Sequence, residues 1–277
     1  MTIDVFPAGS VVTSQDAMTV VANRTIDMAA GGFSFNVSSV PALAALDIHG
    51  IYDPMYFWET YDTVLPVLER LMNEQHQTIL FTFNETESIF YLNRANARSV
   101  HSPADIEGLR LRDHGLWIGK SIESWGASPM TVVPADVAVA LERGTVDGGY
   151  TGFAFVQSFR LFESAPHITF GNLGVSAWGP LTMNLEAYNE LTQAQRDIIR
   201  QAANLAQEEG KRLLDGLQDQ LIEDVLALGG TVYRMTDEET LVFIEATKPL
   251  IDEARSIAGP LGNELIDALL SAPSRFR

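Results

Sequence analysis

Stretches in which apolar and polar residues alternate succeed stretches in which apolar residues recur every three or four positions, and this succession predicts an α/β fold. Met1-Thr-Ile-Asp-Val-Phe-Pro-Ala-Gly9 reads as a strand running into a Pro/Gly turn, and Ser14 or Asp16 can cap a short helix through about Arg24. Thr25 to Met28 reads as a strand that ends in the flexible Ala29-Ala-Gly-Gly-Phe33. Trp58 to about Gln75 carries Tyr61, Val64, Leu65, Leu68, Leu71 and Met72 at helical spacing despite Pro66. Gln77 to Phe83 then reads as a strand, and Ser88 to Asn93 stays extended, the predicted place for the chain to cross between lobes.

In Leu109-Arg110-Leu111-Arg112 the alternation puts both leucines on one face and both arginines on the other. Arg112 ends that strand. Carboxyl ends of strands in open α/β sheets line the ligand crevice, where a guanidinium can hold a carboxylate through two parallel hydrogen bonds. The plainer alternative is a strand-end arginine paired with Asp113. From Val137 to Tyr150 the order helix, Arg, Thr, aliphatic, Asp, small residues, aromatic repeats the order of the unit that ends at Phe33. Two such distant copies predict two related lobes, with Gly31-Gly32-Phe33 facing Gly149-Tyr150-Thr151 across a cleft. Thr192-Gln-Ala-Gln195 is a capping box, and the amphipathic pattern behind it runs to Gly229-Gly230. At ~1.5 Å per residue that helix is about 50 Å long, enough to brace both lobes. A helix from Asp237 to Ala258, interrupted at Pro249, and a last one from Leu261 to Leu270 complete the chain.

Composition narrows the partners. Of 277 residues 46% are hydrophobic, enough for one large or two modest cores, and the net charge of −18 excludes binding that depends on clustered Lys and Arg, nucleic acid above all. No apolar run is long enough to span a bilayer. Without cysteine there is no disulfide, thiol nucleophile or cysteine-held metal.

Catalytic motifs are missing: there is no Gly-x-Ser-x-Gly, Walker loop, Gly-x-Gly-x-x-Gly or His-Glu-x-x-His, and no cofactor or metal is expected. The five histidines stand singly, His114 two residues after Arg112. Glu85 and Glu87 could share one face for acid–base work, or be a solvated strand end. Trp125, Tyr150, Phe153 and Trp178 could wall a pocket, or fill a core.

Several of these stretches, in this order, resemble the substrate-binding proteins of tripartite ATP-independent periplasmic (TRAP) transporters, the DctP-like family. Ile3-Asp-Val-Phe-Pro-Ala-Gly9 is similar to that family's second strand, and Thr25 to Met28 to its Gly/Thr-Ile-Asp-Met. Further matches are Asp105-Ile-Glu-Gly-Leu-Arg-Leu-Arg112, Trp125-Gly-Ala-Ser-Pro129, Pro134 to Gly148, and Leu191 to Ala203. The resemblance implies two α/β lobes of the periplasmic-binding-protein type, closing on a small organic acid that is handed to the transporter's membrane subunits. Residues 1–88 with about 179–218 would form lobe I, and 89–178 with about 219–277 lobe II. It also implies a periplasmic location and a carboxylate grip by Arg112.

Where the family often has Gln-Glu-Asn-Pro, this chain has Gly149-Tyr150-Thr151-Gly152, and a second arginine of some members aligns near Ser88. The expected ligand contacts are therefore Arg112, Tyr150, Thr151, Phe33, Gly32, Ser88, Glu87, Phe153 and Trp178. Tyr150 would favour a ligand with a flat apolar body, unless its ring turns into the core of lobe II. The family's first strand, first helix and export signal have no counterpart, which points to a misplaced start or a fragment. Two other functions fit the same scaffold: an enzyme using Glu85, Glu87 or His114 as acid–base groups, and a sensor subunit.

Overall fold

A computed structural model describes residues 2–6, 10–84, 87–175 and 178–276. Its strands form two sheets. In the first, β1 (Met28–Ala30) and β2 (Gln77–Asn84) flank β8 (Trp178–Asn184), both antiparallel to it. The second has the order β5 (Ser128–Thr131), β4 (Arg110–Asp113), β6 (Gly148–Gly152), β3 (Glu87–Leu92), β7 (His167–Val175), β9 (Thr231–Arg234). Besides the passage from β8 to β9, two short ones, β2 to β3 and β7 to β8, join the sheets, and the pairs that flank them match in register: Asn84 pairs with Trp178 on one side and Glu87 with Val175 on the other.

β3, β6 and β7 are buried along almost their whole length, because helices cover both faces of the second sheet, as for strands that read as continuous apolar runs. On one face Ile89, Tyr91, Ile168 and Phe170 pack with Val137 and Leu141 of α4 (Val137–Glu142), Val156 of α5 (Phe153–Ser158), and Leu221 and Val225 of α7 (Gln193–Ala227). On the other, Phe90, Leu111 and Tyr150 pack with Ile118 and Ile122 of α3 (Leu116–Ser124) and Phe243 of α8 (Asp237–Ser271). The first lobe's core gathers α2 (Phe57–Glu74), the 3-10 turn Pro41–Asp47, Trp178 and the later part of α8.

α7 starts at the capping box of Thr192 and Gln195. Ile199 and Ala203 pack with Leu80 and Met183 of the first sheet, while Leu221 and Val225 belong to the second core. Between these anchors Gly210 and Gly216 face open space.

Three expectations change. Residues 2–6 form no strand, having no neighbour to pair with among the described residues, and Met1 and Pro7–Gly9 lie outside them. The strand expected from Thr25 starts at Met28. The interruption expected at Pro249, which is exposed, does not occur and the helix runs through it; the boundary expected between Ala258 and Leu261 is present, where Gly259, with φ of 68° and ψ of −176°, ends one helix before Pro260 starts the next.

Candidate functional site

The carboxyl end of β4 brings Arg112, Asp113, His114 and Gly115 to the junction of the lobes. Arg112 is 3% exposed; its Nε donates to the Val132 carbonyl at 3.2 Å and its guanidinium lies 4.8 Å from the Phe155 ring centre. Arg112 registers with Gly149, and Gly149 with Tyr91, so these positions share one face. A Cβ on Gly149 would stand 2.2 Å from the Tyr91 hydroxyl. Glycine there lets the phenol lie across β6 toward Arg112. Burial raises the Tyr91 phenol's pKa, opposed by the Arg112 charge. Thr151, two residues after Gly149, stands on the same face and is buried. Asp113 turns the other way, accepting from Thr131 Oγ1 at 3.1 Å and the Gly115 amide at 3.2 Å; desolvation still lifts its carboxyl above the ordinary range.

The first lobe meets this strand end with a run that sequence reading passed over, Val40 to Tyr52. Asp47 and His49 are the charged and ring-nitrogen groups in this apolar stretch, and both are buried. Ser34, next after Phe33, donates to Asp47 Oδ1 at 2.6 Å. Its Cβ lies 3.7 Å from where a Cβ on Gly115 would stand, which places Asp47 beside the turn after Arg112. Desolvation raises the Asp47 carboxyl to about 7, partly countered by the Ser34 hydroxyl. His49 packs edge-on to Tyr150 at 4.7 Å, its Nε2 3.4 Å from Ser88 Oγ. Burial, helped by the nearby His114, lowers its pKa to about 3, so it is neutral in the fold.

Ser88 and Tyr150 therefore come together around His49, and Arg112 and Thr151 share the opposite face of the same sheet. Tyr150 is in the core of lobe II, fully buried against Phe90, Trp125 and Phe243, because helices cover both faces of β6. Its hydroxyl sits beside Ser88 without a hydrogen bond of good geometry. Phe33 and Trp178 lie in the first core and Phe153 in the second; Gly32 is buried where the turn Phe33–Asn36 begins. Glu87 accepts from the Asn172 amide at 3.0 Å and lies 3.5 Å from Arg234, an engagement separate from Arg112. Glu85 lies outside the described residues. Among the described residues no cluster of His, Asp and Glu could hold a metal ion, and no helix is long and apolar enough to cross a membrane.

The profile of the family described as "Bacterial extracellular solute-binding protein, family 7" (DctP) matches residues 1–256. The ectoine-binding periplasmic protein TeaA of Halomonas elongata is 22% identical over 279 residues, covering 96% of this chain and 79% of its own. The solved structure of that organism's periplasmic ectoine-binding protein from the TeaABC TRAP transporter superposes with a TM-score of 0.87, covering 98% of this chain and 88% of that one. A TRAP periplasmic solute-binding protein from a Sulfitobacter species, with bound β-D-galacturonate, superposes with a TM-score of 0.85 at 20% identity, covering 97% of this chain and 88% of that one. A Bordetella pertussis extracytoplasmic solute receptor binding pyroglutamic acid gives 0.83 at 19% identity, covering 94% and 85%. At these identities the solved structures speak to the fold, which is two-lobed.

Proposed function

The chain belongs to the bacterial extracellular solute-binding proteins of family 7, and from that premise we propose that it captures a small organic acid between its lobes and delivers it to TRAP transporter membrane subunits. The observation that carries this reading is Arg112: a guanidinium 3% exposed, at the carboxyl end of a sheet strand, where two lobes meet. A cation so withdrawn from water gains most from an anion it can hold bidentately. Thr151, two residues beyond the Arg112 partner Gly149, adds a hydroxyl to the same face. Location in the periplasm and the role of receptor follow the family; of the groups an enzyme reading would use, Glu85, Glu87 and His114, Glu87 is engaged by Arg234 and the Asn172 amide.

Screening organic acids by thermal shift and measuring hits by calorimetry tests the reading. Arg112→Ala is expected to cost about 2–5 kcal/mol of carboxylate binding, and Arg112→Lys to recover only part of it because an ammonium lacks the planar fork. Binding by Arg112→Ala within threefold of the parent, with the fold intact by circular dichroism, would remove Arg112 as the anchor.

A further inference from the structure

Several buried polar atoms around the Arg112 turn have no hydrogen-bond partner among the described residues, and two of them are of opposite kind: Asp47 Oδ2 from the first lobe and Trp117 Nε1 from the second. Asp47 is 4% exposed and Trp117 1%. They belong to surfaces in contact, since α3 packs on the turn Pro41–Asp47 and Trp117 is part of the first lobe's core. One is an obligate donor. The other is, when ionised, an acceptor whose second oxygen is already held by Ser34. Native proteins rarely leave such groups unsatisfied in the interior, and a pair of opposite kind at one junction marks a place for a group that both accepts and donates.

We propose that Asp47 and Trp117 form a subsite for a hydroxyl group of the ligand, so that the acid this chain takes is a hydroxy acid. A hydroxyl oxygen accepts from the indole N–H while its proton goes to the carboxylate. An ammonium group has no lone pair to offer Trp117, and a methylene satisfies neither atom. Discrimination against an analogue without the hydroxyl is then strong, because that analogue leaves buried polar groups unpaired. The proposal rests on the receptor reading, with Arg112 holding the carboxylate three residues before Gly115.

Its test is calorimetry on the full chain with matched sets: lactate, alanine and propanoate; 3-hydroxybutanoate and butanoate; gluconate and hexanoate. In at least one set the hydroxy member is expected to bind tenfold or more tightly than its partners. Asp47→Asn keeps the shape and the Ser34 bond but turns a second donor on the hydroxyl, and Trp117→Phe removes the donor. Each should bring the hydroxy advantage within threefold while changing deoxy binding little, and the near-isosteric Asp47→Asn alone decides the matter if Trp117→Phe does not fold. Equal binding of hydroxy and deoxy members by the parent, preference for the ammonium member, or an advantage that survives both substitutions would overturn the subsite and leave the receptor reading standing. Failure of every carboxylate to bind the parent would instead overturn the receptor reading, and the subsite with it.

Discussion

Asp47 and His49 stand two residues apart in one buried run, and burial moves their proton affinities in opposite directions. Asp47 has a folded pKa of about 7 against an ordinary 3.8, so it contributes no penalty below pH ~4 and destabilises the fold progressively as pH rises to about 7. His49, lowered to about 3 from 6.5, does the reverse: the stability of its neutral form is present above 6.5 and is lost as pH falls toward 3. Between about pH 4 and 6.5 the folded state keeps a proton the unfolded chain has released and lacks one the unfolded chain has gained, so the two slopes cancel. Asp47→Asn removes one of them. Urea titrations of the unliganded protein should find it more stable than the parent at pH 8, by about 1–3 kcal/mol against a ceiling near ~4 from ~1.4 kcal/mol per pK unit, with the gap closing toward pH 4. A gap that does not change with pH would mean that Asp47 titrates normally. Arg112 was legible in the sequence because alternation fixes its face and the strand's end fixes its place. Asp47 and His49 were not, since a short 3-10 turn and the bend after it sustain no period long enough to read; a lone charge in a long apolar run was the available signal. The direction of Tyr150 was equally hidden, as both faces of β6 are covered.

Among the elements, the long helix and its capping box were readable because caps and 3.6-residue periodicity are local properties. The boundary between Ala258 and Leu261 was readable from Gly259 and Pro260, and Gly259 at φ 68° leaves the helical region altogether, whereas the interruption expected at Pro249 is absent because an exposed proline loses a single hydrogen bond to water. α7 raises a question of stiffness. Its ends are anchored in different cores, and Gly210 and Gly216, in the stretch between, have nothing within 4 Å of where a Cβ would stand. Gly210→Ala and Gly216→Ala are each expected to stabilise the protein by about 0.5–1 kcal/mol, the ordinary cost of glycine in a helix interior. Thermal unfolding of the single and double variants checks this, and no gain in either would mean that α7 is not helical through its middle.

At the scale of the molecule, the repeated unit and the order of family motifs pointed to two lobes and the length of α7 to a brace between them, while the crossing expected at Ser88 to Asn93 comes earlier, between Asn84 and Glu87, because strand pairing between distant segments leaves no local trace. Ligand capture is expected to bring the lobes together, and small-angle scattering should record a smaller radius of gyration with saturating ligand; superimposable profiles would rule out closure. The form that motion takes follows from the passages between the sheets. β2 with β8 and β3 with β7 are antiparallel pairs in matching register where they leave their sheets, Asn84 with Trp178 and Glu87 with Val175, and each shifts register further in, between Ile79 and Phe81 and between Glu87 and Ile89. Sliding one lobe along the other would have to be taken up by two connections of two residues each, Asn84 to Glu87 and Val175 to Trp178, which are too short to lengthen. Tilting leaves each pairing in place. The receptor thus behaves as a caliper with one opening coordinate, so that a ligand is gauged by its reach from one jaw to the other, and a molecule too long for that span cannot be accommodated by letting the jaws shear.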